Sequence, residues 1–231
     1  MERPLLLPGE PTFGRSRSTV LVKWGAVAAA VVALAWLSFG RNGWAPFLSG
    51  VDLGVHEFGH LLFGWAPFLL IAAAGSALQV MAPAALAGYF WWRRDRLAVV
   101  LLFGWLGMSL NNVAVYIGDA NRMVLPLFGD DGSGAGHDWH NILGELGWLA
   151  QADGLAGLVR AGSLVAFLAG VGLAGWFARC DLVPTRSELG LPIRQRSTDE
   201  LPGWSAAPTG VRPGVHEHDQ HDDRQWDQES P

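Results

Sequence analysis

The chain has 231 residues, of which 50% are hydrophobic and 16% charged, with 12 tryptophans and a formal charge of -5; it is too apolar and too aromatic for an ordinary soluble domain, and a polytopic membrane protein is the first expectation. The acid excess sits in residues 181–231, which carry 5 Arg against 10 Asp and Glu, so the remainder is balanced and offers no basic surface for nucleic acid. The single cysteine, Cys180, excludes an internal disulfide and a cysteine-rich metal site, which leaves His and carboxylates as the available ligands.

In chain order, residues 1–18 read as an N-terminal cytoplasmic segment bearing Arg15 and Arg17. Residues 19–39 carry one charge, Lys23, near enough to the end to snorkel, and are long enough for the ~20 residues of a spanning helix. The run is long and lacks a small-residue cleavage site, so it reads as a signal anchor rather than a cleaved signal peptide. Residues 50–92 are too long for one span, and Trp65-Ala66-Pro67 is the expected bend, because Pro67 disfavours helix at the residue before it. Further spans are expected at residues 67–92, 97–118 and 161–178, each ending near Trp, Arg or both. If residues 50–65 only dip into the bilayer, the basic residues near 15–23, 93–96 and 179 fall on one side, as the positive-inside rule requires. That favours a re-entrant or tilted helix there, entered from the extracytoplasmic face. The fold expected is therefore all-α: a helix bundle of about four spans, the re-entrant or tilted helix, and an interfacial helix, in a membrane domain of residues 19–180. Residues 181–231 are too polar to bury a core and read as a disordered tail. Its His216, His218 and His221 are read as solvated rather than metal-scavenging, and Cys180 as an idle thiol rather than an acylation site.

The dipping segment contains His56-Glu57-Phe58-Gly59-His60, the H-E-x-x-H pattern that binds zinc when it lies on a helix. On a helix Asp52, His56 and His60 follow at i, i+4 and i+8 and share a face, so both imidazoles can approach one ion. Glu57, one residue round from His56, stands beside the ion rather than on it, where a general base takes a proton from water. Asp52 reads either as a helix cap in Ser49-Gly50-Val51-Asp52 or as an acceptor for an imidazole N–H. Ionisable groups at membrane depth are costly and by default mark a functional site.

HEFGH inside an apolar segment resembles the site-2-protease class of intramembrane zinc metalloproteases. The resemblance implies that His56 and His60 are zinc ligands, that Glu57 is the catalytic base, and that the substrate is a membrane-associated polypeptide. A third ligand is sought in GAGHDWHNILGELGWL, in the order His137, Asp138, His140; Asp138 also suits the first turn of a helix, where the dipole favours an acid. Asn112, Tyr116 and Asp119, at i, i+4 and i+7, form a polar stripe along one span that either holds substrate or bonds neighbouring helices. The expected protein is a multi-pass zinc peptidase of the plasma membrane. Two other readings stand beside it: a non-catalytic membrane protein in which the metal staples an outer loop to the helices, and a zinc hydrolase acting on lipid.

Overall fold

The computed structural model describes residues 16–41, 43–126 and 136–183; most of the expected N-terminal segment and, with its three histidines, the expected tail after Val183 lie outside the described residues, whereas Asp181 and Leu182, expected in that tail, belong to the last helix. Among the described residues the protein is all-α, with α1 (Arg17–Gly40), α2 (Leu48–Leu62), α3 (Phe68–Arg93), α4 (Arg96–Gly118), α5 (Asp138–Glu145) and α6 (Ala152–Leu182), and no strand. Four of these, α1, α3, α4 and α6 with the 3-10 turn that precedes it, are long and apolar enough to cross a membrane. The last is longer than expected, starting before residue 161 and ending after 178. By contrast α2 has 15 residues, about 22 Å of helix, and is too short for a bilayer core of ~30 Å.

Local chemistry sets the helix ends. Ser16 caps α1 by accepting the Thr19 amide, and Asp95 caps α4 by accepting the Ala98 amide. Pro67 opens α3, at the expected bend. Arg94, in the left-handed region at φ 62°, closes it, so α3 and α4 are joined by a two-residue turn.

At the centre of the bundle, α4 packs against α1, α2, α3 and α6. Glycines permit the approach: a Cβ at Gly107 would lie 2.9 Å from the Phe167 ring of α6, and one at Gly104 would lie 3.4 Å from Val31 of α1. Ser163 of α6 donates to the Gly107 carbonyl at 2.6 Å, satisfying its own hydroxyl inside the apolar layer. The core between α1, α4 and α6 contains Val31, Val100, Met108, Phe167 and Phe177.

At one end of the bundle Asp181 of α6 accepts from Trp24 Nε1 of α1 at 2.8 Å and from Arg96 Nη1 of α4 at 2.7 Å, tying three helices together. Arg17, Arg93, Arg94 and Arg179 belong to this same end. Arg122 and α5 belong to the other.

The segment around α2 departs from the expected geometry. Gly43 packs on the Asn112 backbone, yet Asp52 bonds to Trp105 and Ser109, about one to two turns deeper along α4. From there α2 climbs, parallel to α4 and antiparallel to α3: His56 meets Tyr116 and Gln79, and His60 meets Ile71. The chain thus descends as the non-helical stretch after Arg41 and returns as α2, instead of descending as the helix itself. The turn is made at Phe47, whose φ of 67° is unusual for a bulky residue and leaves α2 without a side-chain cap. Ser49 bonds back to the Ala45 amide rather than forming a capping box with Asp52.

Candidate metal centre

The Nε2 atoms of His56 and His60, one turn apart on α2, converge on a single oxygen of Asp138, at 3.0 and 3.2 Å. Each of the three offers one ligand atom, and these atoms lie within 4.8 Å of one another, so the group could hold a metal ion. Ligands on 2.0–2.1 Å bonds to one tetrahedral ion stand roughly 3.3–3.4 Å apart, close to the two separations from Asp138. Gly75 of α3 forms the wall of the cradle: a Cβ there would lie 2.6 Å from both Nε2 atoms. Gly59 permits the underlying contact, since its own Cβ would strike the Ala74 backbone.

The opposite ring nitrogens show which proton each imidazole carries. His60 Nδ1 lies 2.9 Å from the Ile71 carbonyl. A carbonyl only accepts, so Nδ1 holds the proton and a neutral His60 presents a lone pair at Nε2. For His56 the same result arrives through two amides. Asn112 Nδ2 donates to the Gly43 carbonyl at 3.5 Å, Gln79 Nε2 donates to Asn112 Oδ1 at 2.9 Å, and Gln79 Oε1 therefore faces His56 Nδ1 at 3.3 Å. Both imidazoles thus aim lone pairs at a carboxylate oxygen. Only a cation or protons between them makes that arrangement favourable, and acceptors behind the ring, as here, fix the tautomer of metal-binding histidines.

Asp138 is held from the other side. It occupies the first turn of α5, its amide donates to Tyr116 Oη at 3.0 Å, and the Tyr116 hydroxyl donates to Asp138 Oδ2 at 3.3 Å. Trp139 Nε1 donates to Ser76 Oγ of α3 at 3.0 Å, which docks α5 over the site.

The other candidates from the loop take different places. His137, expected first as third ligand, is the N-cap of α5: its Nδ1 accepts the His140 amide at 3.2 Å. Its ring is completely buried, packs tilted against Tyr116 with centroids 4.5 Å apart, and turns Nε2 toward Asp119, 3.4 Å away. Burial pushes His137 below the ordinary histidine range, while the Asp119 carboxylate pulls the other way. His140 Nδ1 lies 2.8 Å from the Ala120 carbonyl. Neither joins the His56, His60, Asp138 group.

The polar stripe divides. Asn112 and Tyr116 reach the centre through Gln79 and Asp138, whereas Asp119 accepts the amides of Val124 and Leu125 and organises the loop. Asp52 is buried and accepts from Trp105 Nε1 at 2.7 Å and Ser109 Oγ at 3.0 Å, so it is neither the expected cap nor an imidazole acceptor; it anchors α2 to α4. Glu57 is half-buried. Among the described residues its carboxylate has no hydrogen-bond or ion-pair partner.

Gln79, Gly75 and Ser76 are the residues that reasoning from sequence missed. Gln79 left a signal, as a glutamine in the middle of the apolar α3, where a polar side chain implies a partner. Comparison of the chain with known protein families, with curated proteins and with solved structures found no match.

Proposed function

We propose that this protein is a membrane-embedded, zinc-dependent peptidase that hydrolyses membrane-associated polypeptides, with Glu57 as its general base. The observation that carries the proposal is the convergence of the two imidazoles on Asp138 beside a carboxylate, Glu57, that has no partner among the described residues. Three protein ligands and one open position are the arrangement of catalytic zinc; a structural staple takes four. Among the described residues the group that could hold an ion comprises His56, His60 and Asp138, with neither His137 nor His140 in it. This favours an enzyme over the staple.

A zinc ion held by His56, His60 and Asp138 would supply Lewis acidity toward water and a substrate carbonyl. The chain's own part is proton handling and orientation. Glu57, next in sequence to His56 and without a hydrogen-bond or ion-pair partner among the described residues, would accept a proton from attacking water and return it to the leaving amine. Tyr116 keeps the Asp138 carboxylate turned toward the two imidazoles. The resemblance of HEFGH to the site-2-protease class supports a peptide substrate over lipid. The arginine-rich end is assigned to the cytoplasm of the plasma membrane by the positive-inside rule, with the metal centre in the opposite half.

The test is cleavage of a membrane-peptide library co-reconstituted with the protein, with metal content measured in parallel. Glu57→Gln preserves size but cannot accept the proton, so the metal should stay and hydrolysis should fall by about 10²- to 10⁴-fold. Equal activity of wild type and Glu57→Gln on peptides would remove Glu57 from the chemistry, and turnover of lipid esters alone would transfer the site to lipid.

A further inference from the structure

A cleft of ≈ 780 Å³ opens between α3 and α6 on the side of the bundle they share, where the two helices flank α4. Phe103 and Leu106 of α4 form its floor, Gly88 and Gly172 widen its walls, and Trp91 and Trp176 stand at one end. The lining is almost wholly apolar.

Beyond the tryptophans the same end of both helices is charged. Arg94, the left-handed cap of α3, comes just past Trp91 where that helix closes, and Arg179 lies one turn beyond Trp176 on α6. Together with Arg93 they are exposed, and none has a side-chain partner among the described residues, in contrast to Arg96, which is paired with Asp181. The nearby Asp95 carboxylate is engaged by the Ala98 amide. An apolar slot thus leads out between two tryptophans to three unpaired cations at the bundle end.

We infer that the cleft is a binding site for an anionic phospholipid of the leaflet at the arginine end, its acyl chain in the slot and its headgroup phosphate on Arg94 and Arg179. Basic pockets between spanning helices recognise anionic headgroups in this way, and tryptophans mark the interface at which the headgroup sits. Length argues against a docked helix. The slot runs from Ala84 to Trp91 on α3 and from Ala169 to Trp176 on α6, about 10 Å of helix. A spanning partner would be supported over only about a third of the ~30 Å core, whereas an acyl chain needs only the ~15 Å of its own leaflet.

The test is native mass spectrometry of the purified full-length protein after exchange into micelles containing equal amounts of phosphatidylglycerol and phosphatidylcholine with identical chains. Wild type should retain phosphatidylglycerol in preference, and the preference should fall by about fivefold for each arginine removed in Arg94→Gln and Arg179→Gln. Gly172→Leu should reduce retention of both lipids by filling the slot; a Cβ at Gly172 meets nothing within 4 Å, so the variant is sterically free to fold. Equal retention of the two lipids by wild type would overturn the proposal. So would unchanged preference in the arginine variants, whose exposed side chains are not needed for folding. A dimer that Gly172→Leu disrupts without changing lipid retention would assign the cleft to a second copy and overturn it as well.

Discussion

His56 and His60 each commit one ring nitrogen to a protein acceptor and keep the other for the centre, and the acceptors decide which is which. The Gln79 amide would lose its effect if replaced by a group that cannot accept. Gln79→Leu frees His56 to change tautomer or rotate, so zinc affinity should fall by about 10- to 100-fold, the usual effect of losing such a partner, as read by competition with a chromophoric chelator. Retained affinity would mean that the imidazole is oriented by packing alone. Gly75 makes a sharper test. Its replacement by alanine puts a methyl 2.6 Å from the Nε2 atoms of both His56 and His60 on the backbone of a packed helix, where little can yield. Gly75→Ala should therefore abolish stoichiometric zinc. Gly54→Ala, on the same helix as the histidines and with open space around its Cβ, should leave binding intact. If both variants bound zinc alike, the cradle would be misplaced.

The path of the chain around α2 decides which side the site faces, because a non-helical descent followed by an ascending helix returns Leu62 to the end where α3 begins. On this path the α3–α4 turn and the start of α5 lie at opposite ends of the bundle. Single cysteines at Asp95 and Gly136 in a Cys180→Ser background should accordingly label from opposite faces of oriented membranes with an impermeant thiol reagent; labelling of both from one face would invert α4 and separate Asp138 from α2. The positions of the spans, the Pro67 bend and the paired histidines were legible in the sequence because each depends on local spacing: apolar length, the restriction proline places on its neighbour, and a four-residue repeat on one helix. The loop residue that meets the two histidines was not. Its choice among His137, Asp138 and His140 depends on where α5 docks, which Trp139 on Ser76 and Tyr116 on the Asp138 amide determine over separations of 63 and 22 residues. Capping also removed His137 from contention, since an N-cap side chain turns back to its own helix. The descent before α2 was illegible for a related reason: no periodicity marks a stretch whose course is set by Asp52 reaching Trp105 and Ser109.

At the scale of the whole molecule the centre joins helices that the chain leaves far apart: Asp138 lies 82 residues from His56. Without a cation, two imidazole lone pairs confront a carboxylate, and the remaining ties of α5 to the bundle include only a few side-chain hydrogen bonds. Metal bound to the folded state alone should therefore add to stability by mass action. At a free concentration 100-fold above its dissociation constant this is about 2.7 kcal/mol, or roughly 5–10 °C in melting temperature for a chain of this size. Chelation of purified wild type should lower the melting temperature by that order and raise amide exchange first in α5 and the C-terminal half of α2. The α1–α4–α6 core, closed at its far end by Asp181, should hold its protection. Zinc should restore the loss. Asp138→Asn, which cannot supply an anionic ligand, should melt near the chelated wild type and respond little to either treatment. A wild type that gave up its zinc with no change in melting temperature or in exchange at α5 would show that α5 is docked by its hydrogen bonds alone, and that the ion contributes nothing to holding the site together.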